Sequence, residues 1–267
     1  MIRKLQKQDK DMVLSYLYQD VSYNIFIIGD IETYGIETDF QRVYGEFDEH
    51  NQLLSVFLRY RENAVYYSHQ HRFNLDYLPI FKSDSFIYMS GKTELMNLIK
   101  PYLPNYKQKS TYFCKAEAFT ENFTPPANVH ILKTQDEASR LYDLLIQIDE
   151  FGYHESHTRE RFIEQKTYDT SMGITLYIEE DGQIVSSVAT TAETTQNAMV
   201  VAVTTRPNYR NKGYASLLMK TLISIYFHEK KKSLCLFYDN PKAGAIYHRL
   251  GFVTIGTWDM YHLEKTT

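Results

Sequence analysis

Cysteine is scarce: the 267 residues hold two, Cys114 and Cys235, both inside apolar, strand-like stretches. That excludes a disulfide-stapled scaffold and matches no metal-ligand spacing, so reduced core thiols and a cytoplasmic location are expected. Long apolar runs are missing too. None approaches the roughly 20 residues that span a bilayer, so no membrane partner is expected. The opening "MIRKLQKQDKDM" is charged and lacks an apolar core, which argues against a secretory leader. There is no basic excess: a net charge of -4 disfavours nucleic acid as a partner, because binding it needs Lys and Arg to displace counterions. The dense basic run from Lys230 to Lys232 follows an expected helix, where it complements the negative end of the dipole. No metal is expected either. "HQH" at 69–71 has no cysteine or carboxylate beside it, and His154 and His157 lack a third ligand.

What is there describes an ordinary globular chain, 43% hydrophobic and 23% charged. The 23 tyrosines are spread along it, as core and hairpin residues are, rather than gathered into a base-stacking platform. The polar, proline-paired "TENFTPPANVH" divides the chain, giving expected domains at 1–120 and 131–267 with a linker at 121–130. The second half opens with Thr134 and Glu137 at capping-box spacing, ahead of a helical face of Leu141, Leu144 and Leu145. The start of the chain resembles it: Leu5, Gln8, Asp9, Leu14 and Leu17 recur 127 positions on as Leu132, Gln135, Asp136, Leu141 and Leu144. An internal duplication is the natural reading, each copy a strand followed by a helix.

In the second half, residues 156–169 read as a helix and "GITLYIEEDGQIVSSVATT" as a hairpin turning at Asp181-Gly182. "AMVVAVTT" is a continuous apolar run, fit for a strand buried on both faces. A helix from about Gly213 to His228 carries Tyr214, Leu217, Leu218, Leu222 and Ile225 on one side. "LCLFY" is a second buried strand, and "NPKAGAIYHRLGF" a short helix ending at Gly251. Two strands flanking a helix imply a parallel pair with a crossover. The first half has similar parts: a helix near 8–19, a hairpin through "LLSVFLRYRENAVYYS", the strand "SFIYMS" and a helix near 92–102. After "VYYS", however, "HQHRFNLDY" has neither glycine nor a proline turn.

The stretch "RPNYRNKGYASLLMK" carries the most chemistry. Free amides at a helix amino terminus form an anion site, provided side chains stay clear of it. Gly213 lacks a Cβ and Ala215 is small, while Arg210 and Lys212 add positive charge. The other phosphate loops, GxxxxGK[ST] and GxGxxG, are absent.

Together, "VTTRPNYRNKGYASLLMKTL" and the later "DNPKAGAIYHRLGF" resemble the GNAT superfamily of acyl-CoA-dependent N-acyltransferases. The family's Arg/Gln-x-x-Gly-x-Gly/Ala loop falls on Arg210, Gly213 and Ala215. Its Asn…Tyr-x-x-Leu-Gly-Phe signature falls on Asn240, Tyr247, Leu250, Gly251 and Phe252. The resemblance implies an α/β (α+β) chain of tandem GNAT-like folds. Each would be a mixed, mostly antiparallel sheet with helices on both faces, and a splayed parallel pair would mark the coenzyme A site of the second. The first would be a degenerate copy.

It further implies acetyl-CoA as cofactor, its pyrophosphate on the amides of Arg210, Asn211, Lys212, Gly213, Tyr214, Ala215 and Ser216. Pantetheine would pair with backbone near Val203 and Thr205, and an amide near Val203 or Thr204 would polarise the thioester carbonyl. Asn240 would cap the next helix and face the cofactor, and Tyr247 would protonate the departing thiolate. The glutamate that the family often places on the strand before the loop is missing from "NAMVVAVTT", so Glu193, His154 or a chain of waters is left to deprotonate the amine. "DEFGYHESHT", with Tyr153, His154, Glu155 and His157, is either an acceptor-binding connection or an exposed polar loop. The implied activity is acetyl transfer to a primary amine of a small molecule or peptide. The alternatives are a non-catalytic acyl-CoA sensor and a tRNA-dependent aminoacyltransferase.

Overall fold

In "QRVYGEF" every second residue is buried, the period-two mark of a strand with one face on a core. It belongs to the first of two compact units, Met1–Phe113 with Thr254–Thr267; the second is Cys114–Val253. The computed structural model describes residues 1–118, 123–148, 158–168 and 173–264.

The first unit runs β1 (Ile2–Lys4), α1 (Lys10–Leu17), α2 (Ile25–Tyr34), β2 (Gln41–Phe47), β3 (Leu53–Tyr60), β4 (Asn63–Tyr67), α3 (Leu78–Ser83), β5 (Tyr88–Lys92) and α4 (Thr93–Ile99), and β6 (Tyr106–Ala116) leads out of it. β1 to β4 form an antiparallel meander, and β5 lies parallel to β4 from Asn63↔Tyr88 to Val65↔Ser90. Beyond β4 the segment from Ser68 to Tyr77 is closed by interlocked rings. The Tyr66 ring lies 5.5 Å from Phe73 and 5.4 Å from Tyr77. Nothing here repeats the glycine-bearing loop of the other half.

The second unit runs β7 (Val129–Ile131), α5 (Gln135–Leu145), α6 (Arg159–Tyr168), β8 (Thr175–Glu180), β9 (Gln183–Thr191), β10 (Asn197–Thr205), α7 (Tyr214–Ser224), β11 (Ser233–Tyr238) and α8 (Pro241–Arg249). Its strands lie in the order β11-β10-β9-β8-β7, and β10–β11 is the parallel pair. That repeats β5-β4-β3-β2-β1 of the first unit. β1 and β7 begin at Ile2 and Val129, 129 − 2 = 127 positions apart, the offset of the side-chain matches. The expected tandem architecture is therefore what the chain adopts.

Local chemistry accounts for the element ends. Asp181 and Gly182 both have positive φ, +51° and +75°, as a two-residue hairpin turn between right-twisted strands requires. At α5, Thr134 Oγ1 accepts from Glu137 N (3.2 Å) and Glu137 Oε2 accepts from Thr134 N (2.8 Å), completing the capping box. On one face of the sheet, Leu218, Met219, Leu222 and Ile223 of α7 pack with Leu176, Ile178, Val188 and Val200. A separate cluster joins Leu141, Leu144 and Leu145 of α5 to Phe162, Tyr177 and Ile184. α7 runs on into one wide turn, Ile225–Glu229.

The chain leaves the expected domain scheme at its carboxyl end. β12 (Val253–Leu263) pairs antiparallel with β5 from Trp258↔Lys92 to His262↔Tyr88, and Thr254–Thr267 group with the first unit. Apolar burial explains it. Trp258 and Tyr261 are almost fully buried, and the Trp258 ring lies 5.9 Å from Phe26 and 6.0 Å from Phe113. Of the expected linker, residues 121 and 122 lie outside the described residues, and Val129 and His130 form part of β7. Among the described residues no helix is long and apolar enough to cross a membrane.

Candidate active site

The site begins where two parallel strands part. β10 and β11 stay in register from Asn197↔Ser233 to Val200↔Leu236 and then diverge. At the same point β10 bulges against β9: Val201 faces Ala189, but Thr204 faces Ser187, so one extra residue enters on the β10 side. Ala202 absorbs it in the left-handed region, φ +52°, a conformation that disfavours a side chain and is held by its surroundings.

Between the parted strands lies a groove of about 540 Å³. Val203, Thr204 and Thr205 form its strand wall, the segment from Tyr209 to Ser216 (Lys212 excepted) its floor, and Asn240 at the cap of α8 with Ala243, Ile246, Tyr247 and Arg249 of that helix its far wall. Gly213 stands just ahead of α7 at φ +84°, and an added Cβ would meet nothing within 4 Å. Its glycine is thus required by backbone conformation. No side chain caps the helix, so the amides of Tyr214, Ala215 and Ser216 keep the unsatisfied hydrogens of a first helical turn, while Leu217 N already donates to Gly213 O (3.0 Å). Arg210 donates through Nε to Thr205 O (3.2 Å), tying the loop to the strand. Across the groove, Asn240 Oδ1 accepts from Lys242 N (2.9 Å) with Pro241 in the first turn of α8, which leaves its Nδ2 for other partners. Tyr247 is 8% exposed, and burial, with a smaller contribution from Cys114, pushes its phenol up to about 12. It is a protonated donor at neutral pH.

The expected cofactor residues therefore come together, with one exception. Lys212 faces Glu180 (3.6 Å) and lies over the Tyr209 and Tyr214 rings, and Tyr214 OH donates to the same Glu180. Glu193 is not in the groove. Its carboxylate accepts from Lys230 (2.8 Å), Lys232 (2.7 Å) and Tyr226 OH (2.7 Å). Burial works to raise its pKa, but these donors outweigh it and hold the group below the ordinary range. A carboxylate so held is a poor proton acceptor and braces the end of α7. His154, with Tyr153, Glu155 and His157, lies outside the described residues.

Ile148, Tyr209, Ala243, Ile246 and Arg249 line the groove without having been expected. Ala243 and Ile246 follow Asn240 at helical spacing, and that signal was available. Ile148 arrives from the end of α5, which no local pattern reveals. Gly244 was also missed: an added Cβ would come within 2.4 Å of the Tyr238 ring, so glycine lets α8 lie close on β11.

The profile of the Acetyltransferase (GNAT) family matches residues 138–252. No curated protein matches the chain. A Drosophila protein superposes with a TM-score of 0.70 at 11% identity, covering 98% of each chain. A tandem GNAT protein of the clavulanic acid biosynthesis pathway gives 0.60 at 11% identity, over 98% of this chain and 97% of that one. A GNAT-family protein from Novosphingobium aromaticivorans gives 0.59 at 14% identity, over 92% and 97%. Identities this low speak to the fold, which is tandem along nearly the whole chain. With the family profile set on the groove, both of its walls and the loop between them, residues 138–252 are a domain of the GNAT acetyltransferase family, a class of acyl-transferring enzymes.

Proposed function

We propose that this protein transfers an acetyl group from acetyl-CoA to a primary amine of a small molecule or peptide. The observation that carries the reading is the groove itself: parted strands on one side, uncapped helix amides at its floor and a buried, protonated Tyr247 on the far wall. The amides of α7, with Arg210 beside them, suit a pyrophosphate, because Gly213 leaves the approach open. The β10 backbone at Val203 and Thr205, past the point where β11 has diverged, suits the amides of pantetheine as an added strand would. Asn240 has its Nδ2 free to face the same ligand. Acetyl-CoA supplies an acyl group activated as a thioester. An amide at Val203 or Thr204 would polarise the carbonyl oxygen, and Tyr247 would donate its proton to the departing sulfur. The reaction calls for a free amine, and an alkylamine with pKa near ~10 is mostly charged at neutral pH.

One observation favours a second reading, a non-catalytic acyl-CoA sensor. Among the described residues, neither a carboxylate nor an imidazole lines the groove. Steady-state release of free CoA thiol, measured with amines, amino acids, polyamines and peptides, separates the two. Turnover with any acceptor class supports the transferase; tight acetyl-CoA binding with no turnover in any class supports the sensor.

A further inference from the structure

The β10 bulge is held by two adjacent hydroxyls of β9, Ser186 and Ser187. Both are buried, at 0% and 1% exposure. Ser186 Oγ donates to Thr204 O (2.7 Å) and lies 2.9 Å from Thr205 Oγ1, while Ser187 Oγ donates to Ala202 O (3.4 Å). The bulge leaves Ala202 and Val203 between the Val201↔Ala189 and Thr204↔Ser187 pairs, so the Ala202 carbonyl has no β9 residue in register with it. Ser187 holds the carbonyl of the Ala202–Val203 peptide and Ser186 that of the Thr204–Thr205 peptide, so the two hydroxyls bracket the Val203–Thr204 pair. The ladder resumes at Thr204↔Ser187 and Thr205↔Ser186, and next to it Arg206 N donates to Val185 O (2.8 Å).

The consequence follows from the planar trans peptide, in which C=O and N–H point in opposite directions. Tying Ala202 O to Ser187 turns the Val203 N–H away from β9. Tying Thr204 O to Ser186 turns the Thr205 N–H the same way. Away from β9 is the side on which β11 has parted from β10, where Val203, Thr204 and Thr205 line the groove. Ala202 in the left-handed region has no glycine to lower its cost, so the strained peptide needs such a hold.

We infer that Ser186 and Ser187 are positioning residues: through the carbonyls of Ala202 and Thr204 they aim the Val203 and Thr205 amides at the pantetheine arm and acyl carbonyl of the cofactor. The inference rests on the acetyl-CoA reading above and adds the device that orients the strand wall. If the serines merely stabilised the fold, their loss would weaken every ligand of the groove alike. If they aim the amides, only ligands reaching the strand wall would suffer.

Two ligands make the distinction. Acetyl-CoA has a pantetheine arm, whereas adenosine 3′,5′-bisphosphate lacks it and has only the phosphates that suit the loop. Calorimetric titration of the full chain with each is the test, with melting temperatures measured in parallel. Ser186→Ala should weaken acetyl-CoA by about tenfold, one hydrogen bond's worth, and leave the bisphosphate within about twofold. Ser186→Cys, which keeps the volume but donates poorly, should behave the same way. Equal weakening of both ligands, or of neither, overturns the inference. Should Ser186→Ala fail to fold, Ser187→Ala removes the longer contact and faces the same two outcomes. If the parent protein binds neither ligand, the acetyl-CoA reading itself is wrong and this inference falls with it; that result is distinct, because it needs no variant.

Discussion

Tyr247 and Gly213 occupy one groove, yet their substitution should fail in different ways. Burial keeps the Tyr247 phenol protonated far beyond neutral pH, so in the proposed transfer it can act as the donor and not as the base. Tyr247→Phe keeps the ring among Tyr238 and Phe252 and removes only the oxygen. Acetyl-CoA affinity should stay within about twofold while kcat falls by about a hundredfold, the pattern of an interaction made only in the transition state. Thiol release and calorimetry on the same samples check it, and an unchanged kcat would remove Tyr247 from the mechanism. Gly213→Val should act on binding instead. At φ +84° a β-branched residue is strained whatever space surrounds it, and relieving the strain would turn the α7 amides away. Acetyl-CoA affinity should fall by tenfold or more, about 1.4 kcal/mol, with a melting temperature near that of the parent. Unchanged affinity would mean that no phosphate rests on this loop.

At the scale of elements, α5 presents a pH-dependent hold that can be measured apart from any ligand. Burial works to raise the Glu137 pKa, but the amides of Lys133 and Thr134 and the Tyr177 hydroxyl, which donate to it at 2.7, 2.8 and 2.8 Å, prevail. The carboxyl is held down to about 2 from an ordinary 4.5. Its pKa is depressed on folding, so its contribution is full above about 4.5 and is lost as pH falls toward about 2. Allowing for solvent screening, that loss is about 1–2 kcal/mol. Glu137→Gln, which can still accept from the cap amides, should flatten this part of the stability profile in urea titrations at stepped pH. A profile as steep as the parent's would assign the acid sensitivity elsewhere. This cap was legible in the sequence because Thr134 and Glu137 act over three residues. The hairpin at Asp181-Gly182 and the left-handed Gly213 ahead of α7 were legible for the same reason: local spacing carries them. Glu193 shows the limit. Its sequence neighbourhood gives no sign that Lys230 and Lys232 meet it across 37 and 39 positions. The β10 bulge was equally hidden, since "AMVVAVTT" reads as an unbroken apolar strand and the extra residue shows only against β9.

For the whole molecule, the path of the chain matters more than the boundary between halves. It completes most of the first unit, builds the second, and returns with β12 to pair with β5. Truncation after Val253 should therefore damage the first unit, although the missing residues lie at the far end of the sequence. The loss includes Trp258 and Tyr261, buried to within 2%, and the strand that covers β5. Removing one large buried aromatic costs about 3–5 kcal/mol, and losing two with their strand rivals the 5–15 kcal/mol that holds a typical domain. All the groove residues from Ile148 to Arg249 lie within Cys114–Val253 and remain. The expected outcome is a protein in which protease cuts residues 1–113 readily while acetyl-CoA binding stays within about tenfold. Limited proteolysis with mass spectrometry maps the cuts, and titration of the same sample measures the binding. In the intact chain the sole tryptophan, Trp258, gives a second readout, because its fluorescence reports the first unit. A truncated protein whose first unit resists protease as the parent does would show that β12 decorates that sheet without holding it together.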